Sequence, residues 1–317
     1  MPPQNILLFG ATGTIGKYIL SALLSARSQF QRIAIFTSPN TAATKKRPPR
    51  RPTTARVGNI EDEQAVKAAY EVLYWGNLFL TDAGIDTVIS ALGRGSLAQQ
   101  IPLIRLAAAS SVRLFLPSEY GTDIAYGPAS AHEKPHQQKL KVRAFLEKEV
   151  SRAELDYAYV VTGPFAEMYL HFIPGVEAAG GWDVEGRRAV LLGDTGRRGV
   201  GTLTLAVLLH ATPEVLNRAL TVNSFTTSPA EIQAEFERQT RQVWKNVSRT
   251  SLAQLREEER KAWEAGIPAA TGITLRRIWT EGGTLYAQRS NGLLGEPKMG
   301  TLAEVVAGEI NRDAPRL

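Results

Sequence analysis

The segment His132 to Arg143, "HEKPHQQKLKVR", offers two incompatible chemistries. Its first five residues have the H-E-x-x-H spacing that sets two histidines one helical turn apart for zinc, with the glutamate as general base. Such a site needs a continuous helix and a third ligand. Pro135 breaks the helix between His132 and His136 unless it opens it, and His171 and His210, the other two histidines, have no ligand-rich neighbours. No metal is expected. The second half reads as an amphipathic helix beginning near Pro135. On a wheel of about 100° per residue, Lys139 lies within roughly 60° of Val142, Leu146 and Val150, and Phe145 completes the apolar stripe. Lys141 falls about 200° away, beside Lys148, on the wet face. An ammonium on an apolar stripe is costly to desolvate, so Lys139 either snorkels to water or serves a site.

The second stretch with chemistry in it is "GATGTIG", Gly10 to Gly16. It follows the apolar run Asn5 to Phe9 and precedes "KYILSALLSA", whose apolar residues recur at helical spacing, so it is a glycine turn between strand and helix. Gly10, Thr12, Gly13, Thr14, Ile15 and Gly16 thereby present backbone amides and a helix N-terminus to a pyrophosphate.

The elements that must position these groups alternate along the chain. Strands are expected at Arg32 to Thr37, near Ala55 to Gly58, at Asp86 to Ala91, at Val112 to Pro117 and in "LDYAYVVTGPF", with a Pro-rich loop after the second and a helix at about Gln137 to Val150. That alternation implies an α/β fold, a doubly wound parallel sheet of the Rossmann type with helices on both faces. The C-terminal third is less regular, with short strands at Ala189 to Leu192 and Leu220 to Val222. Helices are expected there at about Gly201 to His210, Pro229 to Arg241 and Ser251 to Ala265. The expected division is a dinucleotide-binding domain over residues 1–165 and a smaller α/β substrate lobe over 166–317, with some segments returning to the main sheet. Ligands of such sheets bind beyond the strands' carboxyl ends. There Ser118, Glu119 and Tyr120 of "LPSEYG" can face the crevice, and Ala91, Leu92 and Gly93 border the cofactor, with Arg94 a candidate pyrophosphate partner.

"GATGTIG", "DTVISALG", "FLPSEYGTD" and "KLKVRAFLE" occur in the order and spacing of the isoflavone reductase-like (NmrA-like) branch of atypical short-chain dehydrogenases, and the chain resembles a fungal member. The branch includes phenylcoumaran benzylic ether reductases, pinoresinol-lariciresinol reductases, eugenol synthases and NmrA-type regulators. The resemblance implies that Lys139 is the catalytic lysine, and that Thr162, Gly163, Pro164 and Phe165 line the nicotinamide or substrate pocket, with Tyr169 beside it. One departure is "EVLYWGNLFLTDAG", Glu71 to Gly84, with Trp75 and Phe79, which is longer than the family's usual link. The Tyr-x-x-x-Lys pair of ordinary short-chain dehydrogenases is absent, which leaves proton transfer to Lys139.

The cofactor expected is NADPH. The second strand ends Thr37-Ser38-Pro39-Asn40 without the carboxylate that binds an NAD ribose, and Lys45 and Lys46 follow within loop reach of a 2'-phosphate. The family typically places an arginine soon after this strand; position 37 is Thr here, so the basic partner stays open. The net charge of +6 is concentrated in "TKKRPPRRPTT", without whose five cations it is about +1, and no basic helix supports nucleic-acid binding. A chain of 317 residues, 44% hydrophobic and lacking cysteine, buries a core without disulfides. No apolar run is long enough to span a bilayer. A cytoplasmic reductase is expected, monomer or homodimer, acting with NADPH on a small aromatic or conjugated substrate of secondary metabolism. The alternatives are a dinucleotide-sensing regulator without turnover and a redox-neutral dehydratase or isomerase.

Overall fold

The computed structural model of the chain describes residues 3–44, 54–71, 84–193, 196–198 and 201–312. Six strands arise in the first half: β1 (Asn5–Phe9), β2 (Arg32–Thr37), β3 (Thr54–Val57), β4 (Thr87–Ser90), β5 (Leu114–Leu116) and β6 (Asp156–Val161). Between them run α1 (Gly16–Ser25), α2 (Pro39–Thr44), α3 (Glu63–Tyr70), α4 (Gln100–Ala108) and α5 (Gln137–Lys148). The remaining elements are α6 (Ala166–Leu170), β7 (Gly181–Asp183), β8 (Arg188–Leu192), β9 (Gly196–Arg198), α7 (Gly201–Leu209), β10 (Arg218–Thr221), β11 (Phe225–Thr227), α8 (Pro229–Thr240), β12 (Asn246–Thr250), α9 (Leu252–Glu264), α10 (Ala270–Thr280) and α11 (Leu302–Arg312).

Seven strands form one parallel sheet in the order β10-β6-β5-β4-β1-β2-β3. β1 is buried at every position because both faces are covered. Ile6 and Leu8 point to one layer, against Ile19 and Leu23 of α1 and Val207 and Leu208 of α7. Leu7 and Phe9 point to the other, with Val66, Leu103, Val142 and Leu146 of α3, α4 and α5. Such two-sided burial is why these strands are continuous apolar runs. Chain order reverses between β1 and β4, and a crevice opens there at the carboxyl edge.

Beyond that edge lie a three-stranded sheet, β12-β8-β7, and the pair β11-β9. Trp182, Phe236, Trp244 and Trp279 gather into an aromatic core beside them. Four short strands (β7, β9, β11 and β12) and helices α10 and α11 have no counterpart in the periodicity reading; β12, for example, is mostly exposed and polar. α2 stands where a loop is expected after β2: Pro39 opens it, and the Ser38 hydroxyl accepts from Thr41 N–H at 3.2 Å. Among the described residues no helix is long and apolar enough to cross a membrane.

The glycine turn depends on absent side chains at two places. Gly10 has φ +75°, and a Cβ there would lie 2.4 Å from the Ala91 carbonyl oxygen. A Cβ at Gly16 would lie 2.0 Å from the carbonyl oxygen of Gly10, a backbone atom that cannot swing away. Gly16→Ala is therefore expected to destabilise the protein by about 3 kcal/mol in urea denaturation. A loss below about 0.5 kcal/mol, the size of an ordinary surface substitution, contradicts this packing.

Candidate active site

Two cavities occupy the crevice. The smaller, about 190 Å³, is bordered by Gly10, Thr12, Phe36, Thr37, Ser38 and Asn59. The larger, about 290 Å³, is bordered by Thr14, Ile15, Arg94, Lys139, Phe165 and Trp279. Leu92 belongs to both walls, so the two cavities are adjacent along the crevice. Among the described residues no aspartate or glutamate lines either. The first turn of α1 holds no acid, and Ile15 at its N-cap supplies no side-chain acceptor. Lys17 and Tyr18 N–H already donate to the Gly13 and Ile15 carbonyls, so it is the turn ahead of them, with Thr14 and Ile15 on the cavity wall, that would meet a dinucleotide pyrophosphate.

Lys139 projects from α5 into the larger cavity and is half-buried. Its Nζ donates to the Glu119 carbonyl at 2.9 Å. One turn further on, Arg143 donates to the Glu119 carboxylate at 2.9 Å, and Asp123 lies 3.9 Å from the same guanidinium. The two cations of α5 therefore grip one residue by its backbone and its side chain. Burial pushes the Lys139 ammonium down to about 8; the Glu119 charge opposes the fall, and Arg94 and Arg143 add to it. Burial also works against Arg143, but its carboxylate partner more than offsets this and holds its pKa above the usual value. Lys141 is exposed on the opposite face.

Several expected site residues line the crevice. Gly10, Thr12, Thr37, Ser38 and Leu92 border the smaller cavity. Thr14, Ile15, Leu92, Gly93, Ser118 and Tyr120 border the larger, as do Gly163, Pro164 and Phe165. Burial pushes the Tyr120 hydroxyl well up. Gly13, Gly16 and Ala91 shape the turn from behind without lining either cavity. Three of the expected residues lie off the cavity walls. Glu119 is turned inward at 1% exposure because its carboxylate must meet Arg143. Thr162 is 0% exposed at the end of β6, below the surface that Gly163 presents. Tyr169 is packed 5.8 Å from the Trp279 ring in the aromatic core, away from the cavity. Lys45 and Lys46 lie outside the described residues, as do Arg50, Arg51, Trp75 and Phe79.

The histidine motif is split between two short turns, Pro128–His132 and Lys134–His136. His132 is exposed, whereas His136 is 2% exposed with Nδ1 2.9 Å from the Ser130 carbonyl. Burial lowers the His136 pKa. Among the described residues no group of three His, Cys, Asp or Glu side chains could hold a metal.

The sequence reading passed over Arg143, although it stands in the quoted lysine segment four residues after Lys139. It also passed over Gln100, whose side-chain oxygen accepts from Ser118 N–H at 2.7 Å. Leu275 and Trp279 of α10 carry no local signal at all: they reach the cavity because Trp279 Nε1 donates to Thr122 Oγ1 at 2.8 Å. Arg277, one turn before Glu281, pairs with Glu133 at 2.6 Å and binds α10 to the turn ahead of α5.

Comparison with known proteins agrees with this architecture. The chain is 27% identical over 246 residues to an isoflavone reductase of Pisum sativum, covering 71% of this chain and 72% of that protein. It is 27% identical over 247 residues to the oxidoreductase aprR of Aspergillus flavus, covering 76% and 75%. The leucoanthocyanidin reductase of Vitis vinifera, solved as a binary complex with NADPH, superposes with a TM-score of 0.71 at 18% identity, over 97% of this chain and 100% of that one, and so shares the fold. Residues 2–255 match the model of the NmrA-like family, and the chain belongs to that family.

Proposed function

We propose that the protein is an NADPH-dependent reductase that delivers hydride to a small aromatic or conjugated molecule, with Lys139 transferring the proton. The observation that carries this reading is Lys139 itself: a half-buried ammonium held at the Glu119 carbonyl, in the wall of a cavity continuous with the glycine turn. Relatives named as isoflavone reductase and oxidoreductase support the reaction class.

The turn from Gly10 to Ile15 would hold the pyrophosphate, Thr37 and the backbone near Ser38 the ribose phosphate, and Pro164 and Phe165 would flank the nicotinamide. When bound, the reduced nicotinamide supplies hydride. Lys139 gives a proton to the substrate oxygen on which negative charge develops, and the apolar walls from Leu275, Trp279 and Phe165 exclude water from that transfer.

Two tests follow. Calorimetry should show NADPH binding at least about tenfold more tightly than NADH, because no carboxylate stands at the end of β2 to hold a free ribose or repel a 2'-phosphate. A tenfold preference for NADH would refute the assignment. In the acid role Lys139 must be protonated, so kcat/KM should fall as pH rises through about 8. A rate that climbs through the same range makes Lys139 a base instead.

A further inference from the structure

The larger cavity is one-sided in its hydrogen-bonding chemistry. Leu97, Phe165, Leu275 and Trp279 give it an apolar wall, yet it also carries Arg94 and Lys139 and, among the described residues, no acidic side chain. Several of the side-chain groups that could accept are engaged or covered, the exposed Thr14 hydroxyl being an exception. The Ser118 hydroxyl donates to the Leu92 carbonyl at 2.8 Å, Thr122 Oγ1 takes the Trp279 indole, and the buried His136 keeps Nδ1 at Ser130 and Nε2 shielded from solvent. Lys139 has three hydrogens and uses one on Glu119.

Arg94 has five donors and no acceptor of its own, and among the described residues nothing pairs with it. Its side chain is exposed at the cavity mouth, while the protein around it desolvates the guanidinium enough to lower its pKa. Arg94 and Lys139 border the same cavity, and the charge of the first lowers the pKa of the second. A space lined by donors and apolar surface is complemented by a planar apolar body carrying an acceptor-only anion.

We propose that Arg94 and Lys139 form a carboxylate-binding subsite in the larger cavity, and that the substrate is an aromatic or conjugated carboxylic acid. This rests on reading that cavity as the substrate half of the reductase site. The competing role for Arg94 is to neutralise the cofactor pyrophosphate. Arg94 shares its cavity with Lys139 and Trp279 and also with Thr14 and Ile15 of the glycine turn, so the effect of its replacement on NADP⁺ affinity separates the two roles.

Cinnamate and its neutral isostere cinnamamide are the probes, titrated by calorimetry into the free protein and into protein saturated with NADP⁺. Cinnamate should bind at least about tenfold more tightly than cinnamamide, the scale of a charge-assisted pair over a neutral one. Arg94→Gln should remove most of that preference while cinnamamide and NADP⁺ affinities stay within about twofold. Equal binding of the two probes, or of neither, overturns the proposal. So does an Arg94→Gln protein that keeps the preference and loses NADP⁺ affinity, which would assign Arg94 to the pyrophosphate. Failure of NADP⁺ to bind the parent protein would remove the reductase reading alone, since the cinnamate preference of the free protein still decides the subsite.

Discussion

Lys139→Ala is expected to lower kcat by about 10² or more while NADPH affinity stays nearly unchanged, the usual scale for losing a positioned acid. Lys139 meets the cavity and the Glu119 carbonyl, whereas its neighbour Lys141 is exposed on the far side of α5. Lys141→Ala should therefore retain nearly full activity and stability. The pair controls for helix damage, because fraying of α5 would affect both variants and loss of proton transfer only one. Equal losses in the two, or an active Lys139→Ala protein that no longer binds NADPH, would reassign Lys139 to structure or to cofactor binding.

The largest stability effect should come from Arg143. Its ion pair with Glu119 is buried, the two side chains being 10% and 1% exposed, so Arg143→Met strands a carboxylate without its main partner. A loss of about 3–5 kcal/mol is expected in urea denaturation. Glu119→Leu combined with Arg143→Met should recover more than half of it, because the Glu119 carboxylate is then no longer buried without its partner. A single-variant loss below about 1 kcal/mol would show that water reaches the carboxylate. The pair also bears on Lys139. Arg143 pushes the Lys139 pKa down and Glu119 pushes it up, so the alkaline fall in kcat/KM should move to higher pH in Arg143→Met and to lower pH in Glu119→Gln. A purely structural pair would leave that profile where it is.

The sequence by itself determined the parts of this protein whose signal is local. β1, the turn from Gly10 and α1 are legible because a doubly covered strand must be apolar throughout, and because close backbone approach tolerates only glycine at Gly10 and Gly16. Lys139 is legible for the same kind of reason: helical periodicity places it with Val142 and Leu146 before any partner is known. Pro135 likewise splits the histidine motif into two short turns through its own covalent geometry.

Only the tertiary structure decided which way the side chains beyond the strand ends turn. Glu119 and Tyr120 are neighbours in one turn, yet the first faces inward to Arg143 and the second faces the cavity. No periodicity governs an irregular turn, so the choice falls to a partner 24 residues away. Tyr169 looks like a pocket residue in sequence but is drawn into the aromatic core by Trp182 and Trp279, and Trp279 in turn closes the cavity through Thr122, 157 residues earlier in the chain. Contacts of that separation leave no mark on local composition, because each partner is an ordinary buried residue of its own helix or turn until the two surfaces meet.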